Sequence, residues 1–412
     1  MPRINLIFRK LSINHYSIAK LLGLIHQKFQ NSDLELKVWL NFDEIKNILL
    51  DKCVNVLAYS FMTPLLDQVS YELEQLKQII ANNDWIIAGG VHPTVDPWGC
   101  LKLGFDKVFC SESERTLVVF IKELLAGSAK KNHDKIVKDT NPLPVSLDDY
   151  PPFFAQKNFF VPIELTRGCI NRCTFCGIAG IHRPQISFRT PEGLKHPFAE
   201  MKKRNRKKLF FITSNILSYK INGDTKGHDS LIQLCESALS YGLTDIHLGS
   251  FPSEVRPEYI DDGFMKIFDK YCINKTIVIG AQSGSERMLE ALNRGHSVQD
   301  VKNAALLCRQ YKFMPLIDFI FGLPDETKDD IEQTLDLIEW LVKYTGAKIH
   351  PHYFISLPGT ILWEKKPKPV DVKTRLYLDK LRKHGKLFGD MKSQENLSMK
   401  IFSWKQNGKI LV

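Results

Sequence analysis

Three cysteines, Cys169, Cys173 and Cys176, lie within eight residues of one another in the segment VPIELTRGCINRCTFCG, residues 161–177. An apolar, extended run from Val161 to Leu165 precedes them, so three soft thiolates emerge together from a loop at the end of a predicted strand. A structural zinc site takes four protein ligands, often from a second Cys-x-x-Cys pair, and the chain has no such second pair. A cubic [4Fe–4S] cluster can be held by three thiolates, which leaves one iron open to a ligand that is not protein. Burial alone seldom gathers cysteines this tightly, because reactivity rather than packing usually decides where cysteine is kept.

Strand-like and helical runs alternate downstream of that loop. Strands are predicted at Leu209 to Thr213, Asp245 to Leu248, Thr276 to Gly280, Pro315 to Phe321 and Ala347 to Phe354. With 161–165 they make six, and helices such as Val298 to Tyr311 and Lys328 to Lys343 complete a partial (β/α)6 barrel over 159–355. In barrels of this kind chemistry gathers at the carboxyl ends of the strands. Here those ends are polar or glycine-rich. They read Thr213-Ser214-Asn215, then GSFPSEVRPE with Ser250, Ser253, Glu254 and Arg256, then Gly280-Ala281-Gln282-Ser283-Gly284-Ser285, then IFGLPDET with Gly322 and Leu323. His350 and His352 fall two apart on one face of the last strand, as a proton donor, a substrate ligand or a plain hydrogen-bonded pair. Residues 356–412 form a C-terminal extension with LPGT at 357–360 and a helix expected from Val370 to His384.

Upstream, residues 1–127 read as a parallel α/β domain. Strands are predicted at Ile4 to Phe8, Leu36 to Leu40, Val54 to Tyr59, Trp85 to Ala88 and Lys107 to Phe109, with a helix from Pro64 to Ala81. Five such units predict a flavodoxin-like layer sandwich whose ligands sit beyond the carboxyl ends of its strands. Ser60-Phe-Met-Thr63, Gly89-Gly-Val-His-Pro-Thr94 and Ser111-Glu-Ser-Glu114 fall at those ends. Residues 128–158, with Pro142, Pro144, Pro151 and Pro152, read as a proline-rich linker.

The Cys-x3-Cys-x2-Cys spacing resembles the signature of the radical S-adenosylmethionine enzymes, and the order of the later segments is similar to that family's. The resemblance implies that Cys169, Cys173 and Cys176 hold a [4Fe–4S] cluster whose open iron chelates the amino and carboxylate groups of S-adenosylmethionine. It places Phe175 near the adenine, Thr213, Ser214 and Asn215 at the amino group, Gln282 and Ser283 at the ribose, and Gly322 and Leu323 against the adenine. Glu326 is expected to cap the helix that follows. Gln282 stands where glutamate is commoner, and Asp325 where glycine is usual. The three N-terminal segments resemble the cobalamin-binding domain found ahead of many such barrels, which implies contacts from Ser60, Thr63, Gly89, Gly90, Val91 and Glu112. CSESE replaces the usual Gly-Glu-Gly-Glu, and no Asp-x-His-x-x-Gly motif occurs, so His92 is expected to be a loop residue and not a cobalt ligand.

The resemblance points to a cobalamin-dependent methyltransferase acting on an unactivated carbon of a substrate the residues do not name, with an electron donor such as ferredoxin or flavodoxin. The alternatives are a non-methylating radical enzyme, cyclising or rearranging its substrate beside a structural N-domain, and a non-catalytic iron–sulfur protein that binds nucleic acid. The balance of 56 Lys and Arg against 46 Asp and Glu gives +10, and the densest run, Lys202 to Lys208, lies where cations suit a helix end. It reads as a solvated turn, since no aromatic residues interleave there, and nucleic acid is not expected as a partner. Six of the nine cysteines are scattered singly, and no stretch of 18 apolar residues occurs. The expectation is a cytoplasmic protein without a membrane partner.

Overall fold

The computed structural model describes residues 3–49, 52–141, 143–182, 185–221 and 223–412; Pro142 of the proline-rich stretch lies outside them. The chain divides into two compact units, residues 1–161 with 180–183 and 403–412, and residues 162–179 with 184–402.

The first unit is built on a parallel sheet of β1 (Ile4–Arg9), β2 (Leu34–Trp39), β3 (Val54–Ser60), β4 (Trp85–Gly89), β5 (Lys107–Cys110) and β6 (Ile136–Lys138), in the order β2-β1-β3-β4-β5-β6. The first five follow the flavodoxin-like order. Every residue of β1 is buried, as a central strand with both faces covered requires. Ile4, Leu6 and Phe8 pack against Ile18, Leu22 and Ile25 of the helix His15–Lys28 and Phe120 and Ile121 of the helix Glu114–Leu125.

Two expectations are corrected in this unit. The helix foreseen over 64–81 is shorter: Thr63–Leu65 is a 3-10 turn, and the α-helix spans only Leu66–Leu76. The stretch 128–158 supplies β6 and is pinned to the unit: Glu112 accepts from the Val145 amide at 3.0 Å, and Arg115 donates to the Leu143 and Pro144 carbonyls. Val145, Leu147 and Tyr150 are buried there. Residues 403–412 also belong here, with Trp404 and Ile410 buried, Lys409 paired with Asp67 and the Leu411 amide donating to Asp96.

In the second unit the cysteine loop follows β7 (Ile163–Glu164) and β8 (Thr166–Arg167), the latter pairing with β9 (Ser187–Phe188) in a short antiparallel ribbon. β10 (Lys208–Ile212) lies between β7 and β11 (Asp245–His247), and β13 (Met314–Phe321) lies between β12 (Thr276–Gln282) and β14 (Lys348–Tyr353), all parallel. The two trios join through the segment after β11: the Val278 amide donates to Gly249, the Val255 amide to Val278, and the Gly280 amide to Val255. Six parallel strands in sequence, helices following, make the partial (β/α)6 barrel. Ser297 with Asp300 and Thr327 with Asp330 form capping boxes that start the helices Val298–Gln310 and Lys328–Thr345. Glu326 therefore does not cap the second of these, contrary to expectation. A further helix, Met391–Gln406, follows Val372–Lys383. Among the described residues no helix is long and apolar enough to cross a membrane.

Candidate cluster and cofactor site

The cysteine loop is held from three directions. Ser214 donates to the Gly168 carbonyl at 2.8 Å, Asn293 donates to the carbonyls of Asn171 and Arg172, and the Thr174 amide and carbonyl bond Leu292 and Leu362. Cys173 is buried, while Cys169 and Cys176 are partly exposed. All three line one cavity of about 190 Å³ with Phe175, Ser214, Glu254, Arg256, Gln282, Arg294 and Asp318.

Two guanidiniums converge on one sulfur: Arg294 Nη1 lies 3.4 Å and Arg256 Nη1 3.6 Å from Cys173 Sγ. Arg256 is also bonded to Glu258 at 2.5 Å and to the Arg294 carbonyl, while Arg294 donates to the Gly280 carbonyl at 2.7 Å. Burial, and then the neighbouring Arg256, hold the Arg294 guanidinium below its ordinary value, while Cys173 works in the opposite direction. His296, beside them, is kept neutral, its imidazole pushed down to about 3 by burial and the two arginines. Two buried cations thus share one nearby carboxylate, Glu258. An anionic group at the sulfurs completes that balance, and three thiolates on a cluster supply it. Burial pushes the Cys176 thiol up, and Cys173 and Cys169 add to the rise, whereas a bound metal would hold all three as thiolates. The donor set fits a [4Fe–4S] cluster.

Of the residues expected at S-adenosylmethionine, Phe175, Ser214 and Gln282 line this cavity. Gln282 has φ of 72° at a break in the β12 to β13 register, a left-handed conformation rare outside glycine. Leu323 is fully buried in an apolar cluster with Met288, Leu292, Ile320 and Phe354, against which Phe175 packs. Other expected residues turn inward. Thr213 accepts from the Asn215 amide, Asn215 accepts from the Arg256 amide, Ser283 bonds Thr334 and the Ser285 amide, and Gly322 is pressed against Tyr353 and the Lys368 backbone. These four support the loops and are not among the cavity's lining. Asn215 keeps one buried nitrogen without a partner. Arg294 went unread in the sequence; its only signal was a lone cation in the turn Asn293-Arg-Gly-His296. Asp325, with φ of 64°, occupies a position whose backbone explains why glycine is usual there.

Glu254 and Asp318 bring acceptors to the wall that Gln282 also lines, so a diol or a cation would be received there. Ser253 instead closes a turn on the Ser250 carbonyl. His350 and His352 share a face as expected, and their partner is Asp318, at 3.1 and 3.5 Å.

In the first unit the carboxyl-edge loops interlock. The Phe61 amide donates to Gly89, the His92 amide to Phe61, and Thr94 Oγ1 receives the Ser111 amide. Ser60 bonds Ser17 at 2.8 Å, Thr63 bonds His92 at 3.1 Å, and Glu112 serves Val145. Val91 opens a short helix with its amide end at Gly90. His92 is fully buried on that helix and is no loop residue; burial pushes its imidazole down to about 4. Ser111 has φ of 60°, which accounts for the family's glycine at that position.

Residues 163–338 match the family model described as the radical SAM superfamily. Among curated relatives, an uncharacterized protein of Methanocaldococcus jannaschii is 28% identical over 50% of this chain and 44% of its own length. The tRNA-2-methylthio-N(6)-dimethylallyladenosine synthase of Thermotoga petrophila is 28% identical over 56% of this chain and 52% of its own. The chain thus spans about half the length of these relatives. Among solved structures, the radical S-adenosylmethionine methyltransferase TsrM of Kitasatospora setae, with cobalamin and a [4Fe–4S] cluster bound, superposes with a TM-score of 0.65 at 11% identity, over 88% of this chain and 77% of that one. The cobalamin-dependent S-adenosylmethionine radical enzyme OxsB gives 0.64 at 17% identity, over 82% and 52%. Those two likenesses establish a shared fold. The three-cysteine loop and its cavity lie within residues 163–338, the part of the chain that is similar to the radical SAM superfamily.

Proposed function

We propose that this protein is a cobalamin-dependent radical S-adenosylmethionine methyltransferase that methylates an unactivated carbon. The observation that carries the reading is the extent of the fold likeness: for TsrM it covers 88% of the chain, so it takes in the parallel sheet of the first unit as well as the unit that holds the cysteine loop. When bound, the cluster with S-adenosylmethionine supplies a hydrogen-abstracting radical, and cobalamin supplies the methyl group. The chain's residues do the rest. Cys169, Cys173 and Cys176 hold the cluster, Arg256 and Arg294 balance its charge, and Phe175 and Leu323 give an apolar wall for adenine. Gln282 offers its amide to the ribose. In the first unit, the backbone at Gly89, Gly90 and Val91 and the edge formed by Ser60, Thr63 and Glu112 would border cobalamin. His92, engaged with Thr63 and buried on its short helix, would leave the cobalt without a histidine from this segment. An electron donor such as ferredoxin or flavodoxin delivers the electron.

The test is anaerobic incubation of reconstituted protein with methyl-labelled S-adenosylmethionine, cobalamin, reductant and an extract of the source cells. Methyl transfer to carbon predicts 5′-deoxyadenosine and S-adenosylhomocysteine formed together, with label in a carbon-bound methyl. Deoxyadenosine alone during turnover would replace this reading by a non-methylating radical reaction. Label recovered on sulfur would replace it by methylthio transfer.

A further inference from the structure

The wall of the cavity formed by Asp318 is backed by a set of contacts that fixes proton positions. The Tyr353 amide donates to Gln394 Oε1 at 2.9 Å, so the Gln394 atom facing His352 Nδ1 at 3.2 Å is the Nε2 donor. Nδ1 of His352 must then accept, and its Nε2 carries the proton, directed at Asp318 Oδ1 across 3.5 Å. His350 Nδ1 lies 3.1 Å from the same oxygen. A carboxylate can only accept, so that nitrogen also carries a proton. His350 is fixed by stacking on Phe388 at 4.5 Å and by Gly389, where an added Cβ would lie 2.4 Å from its ring.

Asp318, His350 and His352 also have the make-up of a two-histidine, one-carboxylate metal site, with donor atoms within 4.8 Å of one another. The Gln394 amide argues against that use. A metal-bound imidazole normally gives its other N–H to an acceptor, and here the group at His352 Nδ1 is itself a donor.

We propose that His350 and His352 are positioning residues that brace Asp318, each through one N–H, so that its carboxylate is held ionised and aimed into the cavity. The inference rests on the reading of that cavity as the S-adenosylmethionine site. The groups facing Asp318 are His350 and His352 from β14 and Glu254 from the segment after β11. Burial pushes the Asp318 carboxyl up, but the two histidine hydrogen bonds more than offset this and leave it below the usual carboxylate range. Glu254 moves the other way, raised by burial and then by Asp318. The two neighbouring carboxyls thus shift in opposite directions, Asp318 down and Glu254 up.

Two measurements test this. Long-range proton–nitrogen correlation spectra of the histidine-labelled, cluster-free chain, assigned with His350→Gln and His352→Gln, should show His350 protonated on Nδ1 and His352 on Nε2. Binding of S-adenosylmethionine to the reconstituted protein, titrated against pH, should lose affinity on the acid side. That limb should move up by about one pH unit in His350→Leu or His352→Leu, and much less in the Gln variants, which keep an N–H. Gln394→Met, which leaves both histidines in place, should scramble the His352 tautomer and gives a second variant if a leucine variant misfolds. Opposite tautomers, or one equivalent of zinc retained by the cluster-free chain and lost in His352→Gln, would overturn the brace. An acid limb unchanged in every variant would do so too. If wild-type protein binds no S-adenosylmethionine while the tautomers are as stated, the cofactor reading fails and the brace stands.

Discussion

Arg294 brings Nη1 to 3.4 Å from the sulfur of Cys173, and the neighbouring Arg256 reaches the same atom at 3.6 Å. A cluster bound there loses one balancing charge if Arg294 is replaced by leucine, and reduction, which adds negative charge, becomes harder. Arg294→Leu should keep about four irons per chain and lower the cluster midpoint by tens of millivolts, on the order expected when local charge changes. A redox titration followed by electron paramagnetic resonance reads this directly. An unchanged midpoint would detach Arg294 from the cluster.

Iron loading itself separates the loop from the scattered cysteines. Anaerobic reconstitution should give about four irons per chain, and Cys169→Ala, Cys173→Ala or Cys176→Ala should each abolish it. Cys235→Ala and Cys308→Ala should leave iron content unchanged. Both thiols are fully buried, and burial pushes Cys308 up to about 12, so neither offers a thiolate. Retention of full iron in all three loop variants would reject the cluster assignment.

Gly280 tests the cavity wall. A Cβ there would lie 2.6 Å from Gln282 Nε2 and 3.2 Å from Arg294 Nη2, so Gly280→Ala must push one of them aside. Affinity for S-adenosylmethionine should fall about tenfold, roughly 1.4 kcal/mol, with iron content preserved. Calorimetry on the reconstituted variant reports the change.

Glu326 gives a pH signature. Burial raises its carboxyl to about 8, Asp330 adds to the rise and Lys368 opposes it. The folded chain therefore holds a proton that the unfolded chain has lost between the ordinary carboxylate range and pH 8. This contribution to stability is present in full below that range and is lost as pH rises toward 8. Glu326→Gln should remove the decline, with a gain on the order of a few kcal/mol at pH 8 relative to pH 5. Thermal unfolding at the two pH values, compared with wild type, measures it; a parallel decline in the variant contradicts the assignment.

The buried strands were legible because β1, β3 and β4 are mostly apolar runs, interrupted within only by Asn5 and Asn55, and such runs have few other fates. β6 escaped because Ile136–Lys138 is three residues long and set among lysines and prolines. The helix Met391–Gln406 escaped for another reason: MKSQENLSMKIFSWKQ carries only a weak apolar stripe, so its periodicity gives little signal. Within the site, the spacing of the cysteines announced the loop, but side-chain direction was not written in the motifs. Thr213, Asn215 and Ser283 sit in the expected segments, yet Thr213 turns to the Asn215 amide two residues on, and Asn215 and Ser283 turn to the Arg256 amide and the Thr334 hydroxyl, which lie far off in sequence. Arg294 reaches Cys173 across 121 positions, a distance no local pattern encodes.

The cobalamin reading is best tested at Gly89. Gly90 has φ of 94°, and a Cβ there would strike Ser60 Oγ at 2.8 Å and the Phe61 amide nitrogen at 3.1 Å, so Gly90→Leu breaks the loop whatever binds beside it. At Gly89 a Cβ meets only Phe109 atoms, at 3.7 Å or more, and its φ is not left-handed. A Cβ at Gly89 therefore fits the fold, while a side chain at this strand end would stand where a ligand approaches the backbone. Gly89→Val should fold with a melting temperature within a few degrees of wild type and retain much less cobalamin after purification with the cofactor in excess. His92→Ala should leave the visible spectrum of any bound cobalamin unchanged, because that imidazole is fully buried inside the unit with its Nδ1 on Thr63. Full retention in Gly89→Val would remove the loop from the binding surface, and loss of a nitrogen-ligated spectrum in His92→Ala would make His92 a cobalt ligand after all.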